Sequence, residues 1–265
     1  MQTTAAPQRN LRHRFQSTAL AADLGALRRC WREAGCLKLT AAYAPAALEA
    51  LGSALEPGRP ARSAGGRSPG QRRLLEESEA VRGLARGEAA LGLARLLLGP
   101  DARPVKAVLF DKTAEANWTL PWHQDLTVAL AQRREVPGFT RWSLKAGVPH
   151  AEAPLEVLQG MLALRLHLDP CDALNGPLLV VEGSHRLGKL SQDRRDSLPR
   201  QQPVTACEAQ AGDLLVMHPL ILHRSAPARR PRRRRVLHIE YAATDLPGGL
   251  AWHAEGPSRQ GKADG

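Results

Sequence analysis

The stretch Met161-Leu-Ala-Leu-Arg-Leu-His-Leu-Asp169 alternates without a break. Leu162, Leu164, Leu166 and Leu168 take one face, and Ala163, Arg165, His167 and Asp169 take the other, which is the period-two pattern of a strand. The leucine face has to pack. The opposite face is too polar for a dry interior, because a buried polar group without a partner is costly. It is therefore expected to line a cavity, with Arg165 and His167 as candidate substrate contacts.

Outward from this strand, the chain after Gly99-Pro100 reads as short β-like runs between turn residues. They cover residues 105–111, 122–130, 161–169, 177–182, 204–208, 214–218, 220–223 and 236–241, a pattern that points to a sandwich or barrel. The preceding residues read differently. Leu20, Leu24, Leu27 and Trp31 have helical spacing over residues 18–34, closed by Gly35. A short strand at 36–39 follows, then a helix from Pro45 that ends before Pro57. A Gly/Pro/Ser/Arg-rich loop at 57–70 leads into a helical stretch over 71–98 with a break around Gly83–Gly87. The expectation is one domain over residues 18–254, with helical support at 18–99, a β-core at 100–254, and tails at 1–17 and 255–265. The long connection at 131–154 reads as a binding loop or lid, with His150 and Trp142 as candidate substrate contacts.

Composition narrows the function classes. Hydrophobic residues make up 43% of 265 residues, ordinary for a globular core. No apolar run approaches the roughly 18 residues of a membrane span, and the Arg-bearing start lacks the apolar segment of a secretory leader. A cytoplasmic protein without a membrane partner is expected. Cys30, Cys36, Cys171 and Cys207 form no metal-binding or disulfide spacing and read as free thiols. The net charge of +11 raises nucleic-acid binding. The one dense run, Arg229-Arg-Pro-Arg-Arg-Arg-Arg235, enters a strand, however, and aromatic residues for base stacking are only 4% of the chain. A small-molecule substrate is the better expectation, with monomer and dimer both open.

The chemistry lies in two segments. In Trp118-Thr-Leu-Pro-Trp-His-Gln-Asp-Leu126, His123 and Asp125 are two apart, on one face of a strand, with Gln124 turned away. An imidazole and a carboxylate on one side of an ion are two parts of a facial triad, which leaves positions open for substrate and oxygen. In Ala211-Gly-Asp-Leu-Leu-Val-Met-His-Pro-Leu-Ile-Leu-His-Arg-Ser225, His218 and His223 are five apart. On a regular strand they face opposite ways, so only one reaches the metal. Arg234 lies eleven residues beyond His223, and a buried arginine fork is the natural partner of a carboxylate. Ser225 supplies a further donor.

These pieces resemble the phytanoyl-CoA dioxygenase family of iron(II)/2-oxoglutarate oxygenases. The match runs through His123-Gln-Asp125, Asn175-Gly176-Pro-Leu, Gly183-Ser184-His185, Gly212-Asp213 and His223-Arg-Ser225 to Arg234, over about residues 105–241. The resemblance implies a double-stranded β-helix, mainly β with a helical N-terminal layer. It implies iron(II) on His123, Asp125 and His223, 2-oxoglutarate on Arg234 and Ser225, and dioxygen as the second co-substrate. Lys112 and Asn117, just upstream of the metal strand, are further candidates for 2-oxoglutarate. The family usually has proline before Gly-Ser-His, where this chain has Glu182. The arginine run leaves Arg235 as a competitor of Arg234, with the spacing in favour of Arg234. The implied reaction hydroxylates an unactivated carbon and releases succinate and carbon dioxide, with no separate acid or base. Two rivals keep the same residues: a cupin-like metal-dependent hydrolase or isomerase with no need of Arg234, and a non-catalytic basic nucleic-acid-binding module.

Overall fold

The computed structural model describes residues 23–55, 62–63, 66–67 and 70–255. The expected tail at 1–17, most of the 57–70 loop and the tail after Glu255 lie outside them. In chain order the first half gives α1 (Leu24–Ala34), β1 (Cys36–Leu39), α2 (Pro45–Leu55), the short pair β2 (Arg62–Ser63) and β3 (Gly66–Arg67), then β4 (Gly70–Gln71). Next come α3 (Leu74–Glu77), α4 (Glu79–Arg86), α5 (Glu88–Leu98), β5 (Arg103–Lys112), β6 (Leu120–His123) and β7 (Thr127–Ala129). There follow β8 (Thr140–Lys145), β9 (Val148–Glu152), α6 (Leu155–Gln159), β10 (Met161–His167) and β11 (Leu178–Val181). The chain closes with α7 (Gln192–Gln201), β12 (Val204–Cys207), β13 (Leu214–Met217), β14 (Leu222–Ser225) and β15 (Arg234–Ala242).

The strands form an antiparallel six-stranded sheet in the order β1-β13-β10-β15-β5-β4 and a four-stranded sheet in the order β12-β11-β14-β6. The two faces of β10 do what the alternation requires. Leu162, Leu164 and Leu166 are buried in one cluster with Val216, Leu237 and Ile239 of the neighbouring strands and with Trp31, Leu51, Val81 and Leu93 of the helices. On the other face, Ala163 joins Met217, Leu215 and Cys36 of the large sheet to Leu178, Val180 and Cys207 of the small one. The two sheets therefore face each other as a double-stranded β-helix, open rather than closed into a barrel, with the helices bracing the outside of the large sheet.

Local chemistry sets the joints. Asp23 caps α1, its side chain accepting from Gly25 N at 2.8 Å, and Gly35 ends that helix in the left-handed region at φ +72°. A Cβ at Gly35 would lie 2.3 Å from the His185 ring, so the turn needs glycine twice over. The 71–98 stretch breaks at Ser78, whose hydroxyl caps α4 at Val81 N, and again at Gly87. Gly83 stays inside α4.

Three expectations need correction. Residues 122–130 are not one strand: the chain leaves β6 after His123 and re-enters another sheet at Thr127. The 131–154 connection is not a bare loop, because β8 and β9 pair there with β7 in a three-stranded sheet. The sequence reading also missed α7, which is polar almost all round and carries Pro199 inside, so it shows no apolar stripe. The arginine run is largely committed within the chain. Arg232 pairs with Asp172, Arg233 with Asp111 at 3.1 Å and Arg235 with Asp169 at 2.8 Å. No described helix is long and apolar enough to cross a membrane.

Replacing Leu164 by alanine should lower unfolding free energy by about 2–5 kcal/mol, because the sheet-to-helix layer cannot collapse around the gap. The same change at Leu144, which is 71% exposed, should cost less than about 0.5 kcal/mol. Equal shifts in a chemical denaturation series would show that the β10 leucine face is not the main core.

Candidate metal and co-substrate site

β6 and β14 pair antiparallel with His123 directly opposite His223, and a register shift follows between His223 and Ser225. Two residues of β14 there span three of β6, which is a bulge at Pro121-Trp122. Pro121 is tolerated because β6 is an edge strand of the small sheet. The imidazole centroids are 4.1 Å apart. Each ring is oriented by its own strand: His123 Nδ1 contacts Pro121 O at 2.7 Å, and His223 Nδ1 contacts Ile221 O at 2.9 Å. With Nδ1–H donated to a carbonyl, the Nε2 lone pair of each ring is free to ligate. Both Nε2 atoms lie 3.7 Å from the Asp125 carboxylate, and one ligand atom from each of the three residues fits within 4.8 Å of the others.

The protonation states suit a cation. Burial pushes the His223 imidazole down to about 3, so it is neutral at pH 7. Desolvation alone would raise the Asp125 carboxyl, but His223 and His123 more than offset it and hold the group well below the usual carboxylate range. Two imidazoles and one carboxylate are the donor set of a facial triad, and they fit iron(II).

Asp125 is placed by its neighbour. Gln124 turns the other way, donating to Gly188 O at 2.8 Å and Leu220 O at 2.7 Å, and accepting from Leu190 N at 2.8 Å. Asp125 N donates to Pro219 O at 2.8 Å. His218, the other candidate third ligand, points elsewhere. It stacks on Trp31 at 5.5 Å and lies 5.1 Å from His185, and its Nδ1 accepts from Leu220 N at 3.1 Å. The Gly183-Ser184-His185 motif is a clip, with Ser184 Oγ donating to Val181 O at 2.6 Å and accepting from Leu222 N at 2.8 Å. Glu182, in place of the family's proline, accepts from Thr205 at 2.7 Å.

A second cluster lies two residues past His223. Ser225 Oγ donates to Gly176 O at 3.2 Å, and Arg234 donates to the same carbonyl. Gly176 is itself left-handed, at φ +65°. Lys112 is the register partner of Arg234, and its Nζ is 3.3 Å from Ser225 Oγ. Burial and the Arg234 charge lower the Lys112 ammonium to about 8. Arg234 is buried, its Nε has no partner, and among the described residues it has no carboxylate. Arg235, by contrast, is saturated by Asp169, which accepts from its Nε at 2.9 Å and Nη2 at 2.8 Å. Asn117 does not turn to this cluster: its amide donates to Ala228 O at 3.0 Å and accepts from Ala228 N at 2.7 Å.

Between the two clusters, the polar face of β10 meets that of β15. Arg165 Nη1 lies 3.0 Å from His238 Nδ1, His238 Nε2 lies 3.2 Å from Glu240, and Glu240 pairs with Lys106 at 2.5 Å. Burial would raise the Glu240 carboxyl, but Lys106 and His238 bring it down to about 2. His238 and Glu240 line a cavity of about 250 Å³ together with Asp125 and Thr127. Sequence reasoning assigned them no role, although the alternation of β15 puts both on the face of Arg234. His167 is buried beside this row with Nδ1 unpartnered; burial, then Arg165 and Arg234, lowers it to about 3. His150 lines a second cavity. Trp142 packs on the cluster around Val128 and Leu158, under the Arg133 guanidinium at 5.6 Å, and lines neither cavity.

Comparisons with known proteins bear on the fold and the family. Over 86% of its length the chain superposes on EvdMO1 at TM-score 0.61 and 22% identity, spanning 51%, about half, of that chain. EctD from S. alaskensis, in a structure with 2-oxoglutarate and 5-hydroxyectoine, gives TM-score 0.65 at 16% identity, over 86% of this chain and 79% of that one. HygX from Streptomyces hygroscopicus, with iron bound, gives 0.58 at 15% identity, over 81% and 84% of the two chains. No curated protein sequence matches. Residues 31–236 match the family described as phytanoyl-CoA dioxygenase (PhyH), and the chain belongs to that family of iron(II)- and 2-oxoglutarate-dependent oxygenases.

Proposed function

We propose that the protein oxidises an unactivated carbon of a small organic substrate, by hydroxylation as the simplest outcome. One molecule each of substrate, 2-oxoglutarate and dioxygen would give the hydroxylated product, succinate and carbon dioxide. The observation that carries this reading is Arg234, a buried guanidinium with an unpartnered Nε and no carboxylate partner among the described residues, set beside Ser225 and just beyond the triad. A buried charge left uncompensated is expensive, and a dicarboxylate co-substrate supplies the missing anion. A metal-dependent hydrolase or isomerase would have no use for it.

On this reading His123, Asp125 and His223 hold iron(II), which when bound supplies the oxidising chemistry and leaves positions open for the co-substrates. Arg234 takes the distal carboxylate of 2-oxoglutarate through its planar fork. Ser225 donates a hydroxyl hydrogen bond to it, and Lys112 adds a second positive charge from the neighbouring strand. Asn117 acts at one remove, holding the 226–228 backbone that carries Ser225. Arg165 and His238 lie between the co-substrate end and the cavity, and His167 flanks them. The surrounding leucines and valines keep water out, so that these charges act at low dielectric.

Two expected outcomes follow. Purified protein should bind one iron(II) per chain under anaerobic titration. His223→Ala should abolish that binding and His218→Ala should retain it, with a lower melting temperature from the lost stacking. Loss of iron in His218→Ala with its fold intact would move the third ligand. Arg234→Ala should weaken 2-oxoglutarate binding by about 30-fold to several-thousand-fold, since removing one partner of a buried charge pair costs about 2–5 kcal/mol. Arg235→Ala should lose stability through Asp169 and leave 2-oxoglutarate affinity within about threefold. Similar small effects from both, read by calorimetry, would refute the assignment of Arg234.

A further inference from the structure

The second cavity, about 300 Å³ when the space open to solvent is included, lies between the β4–α3 corner and the β5 and β9 strands, and Arg72, Arg73, Lys106, Lys145, Glu76 and His150 line it. Its charges do not cancel. Arg73 pairs with Glu77 at 3.4 Å and Lys106 with Glu240 at 2.5 Å, while Glu76, 3.5 Å from the His253 ring, is the one carboxylate among the described residues of the lining. Arg72 and Lys145 are left without a carboxylate partner among the described residues. The Lys145 ammonium finds only the Thr127 hydroxyl, at 3.2 Å. Burial, then the Lys106 and Arg72 charges, pushes its pKa down, with Glu240 and Asp125 opposing them only in part. Arg72 is likewise lowered by burial. Like charges gathered around a void raise the free energy of the empty protein, and an anion in the void relieves it.

His150 adds a directional element. It is 2% exposed, its Nδ1 is 2.9 Å from Val148 O, and its Nε2 is buried without a partner. Burial lowers its pKa to about 4, so at neutral pH the unpartnered Nε2 is an acceptor awaiting an O–H or N–H donor. The cavity also adjoins the metal side. Lys106 lines it and pairs with Glu240, and Lys145 bonds Thr127, while Glu240 and Thr127 both line the smaller cavity with Asp125.

We propose that this basic cavity is the specificity pocket of the enzyme and that the substrate is an organic acid. Its carboxylate or phosphate sits between Arg72 and Lys145, a hydroxyl or amine donor meets His150, and the carbon to be oxidised extends past Lys106 and Thr127 towards Asp125. The assignment of this anion as substrate rests on the oxygenase reading; the anion site itself does not.

Inorganic phosphate is the probe, titrated calorimetrically into metal-free protein without 2-oxoglutarate. Wild type should bind it, and the double variant Arg72→Gln/Lys145→Gln should bind it about 10- to 100-fold more weakly through loss of two charge-assisted contacts. Each single variant should fall between, which keeps the test open if the double variant folds poorly, and Arg234→Ala should bind as wild type does. No binding to wild type, or binding lost in Arg234→Ala and kept in the double variant, overturns the proposal. A second arm uses protein loaded with iron(II) and 2-oxoglutarate and compares organic acids with their methyl esters. Acid-dependent 2-oxoglutarate consumption that Arg72→Gln weakens supports the substrate assignment, whereas consumption driven equally by esters and acids overturns it. Phosphate binding at Arg72 and Lys145 in a protein that takes up neither iron nor 2-oxoglutarate would leave the anion site standing and sink the oxygenase reading instead.

Discussion

The site depends on one cross-strand pair, His123 opposite His223 in an antiparallel ladder. Opposed residues on one face of such a ladder have side chains close enough to share an ion, and the backbone hydrogen bonds fix that distance. The strand also fixes the tautomer, because each ring is tied through Nδ1 to the carbonyl two residues back. His150 repeats the device at Val148 O. A strand conformation that turns a histidine back on its own backbone thus presents Nε2 outward in three places. Two of the three face a carboxylate, and the third faces a void.

The interior of this fold is unusually charged, and the charges are graded. Towards the co-substrate end lie Arg234 and Lys112, which lack a carboxylate among the described residues. In the middle, Arg165, His238, Glu240 and Lys106 form a hydrogen-bonded chain in which Glu240 offsets Lys106 and Arg165 rests on the His238 ring. At the His-Asp-His cluster, Asp125 is the local anion. Such a row would be a poor way to stabilise a core, since apolar residues of like volume would do as well or better. Its uncompensated cations make sense as binding sites for anions. The stability has to come from elsewhere, and the leucines of β10 against the helical layer supply it, each buried side chain contributing about 1.5–3 kcal/mol.

Much of this was legible in the sequence, for reasons that differ by residue. The β10 alternation is legible because a strand with one packed and one polar face has only one reading. His218 could be set apart from His223 because their odd offset puts them on opposite faces, and the structure puts His218 in a stack between Trp31 and His185. Arg234 could be preferred over Arg235 only on spacing, because nothing in the sequence shows that Asp169 claims Arg235. The β8 and β9 strands stayed hidden because β8 is largely exposed and has no apolar alternation. The basic cavity was invisible for a different reason. Arg72, Lys106 and Lys145 each read as an ordinary solvated charge, and His150, a candidate by itself on the 131–154 connection, has no visible link to them until the fold brings the four together.

The break after His123 shows how a misread strand can still bring His123 and Asp125 together. Had β6 continued, Asp125 would sit about 6.6 Å further along the strand from His123, with its side chain parallel to the imidazole. Instead the chain leaves the ladder at Gln124. The Gln124 amide is held by three backbone partners on the far side, and the Asp125 backbone is held by Pro219. The carboxylate is thereby set 3.7 Å from both Nε2 atoms at once. His-Gln-Asp converges here because the residue between His123 and Asp125 is an anchor, long enough to reach the loop carrying Gly188 and Leu190 and polar at both ends. A shorter or apolar side chain at 124 could keep the spacing of the motif and lose the position of its carboxylate.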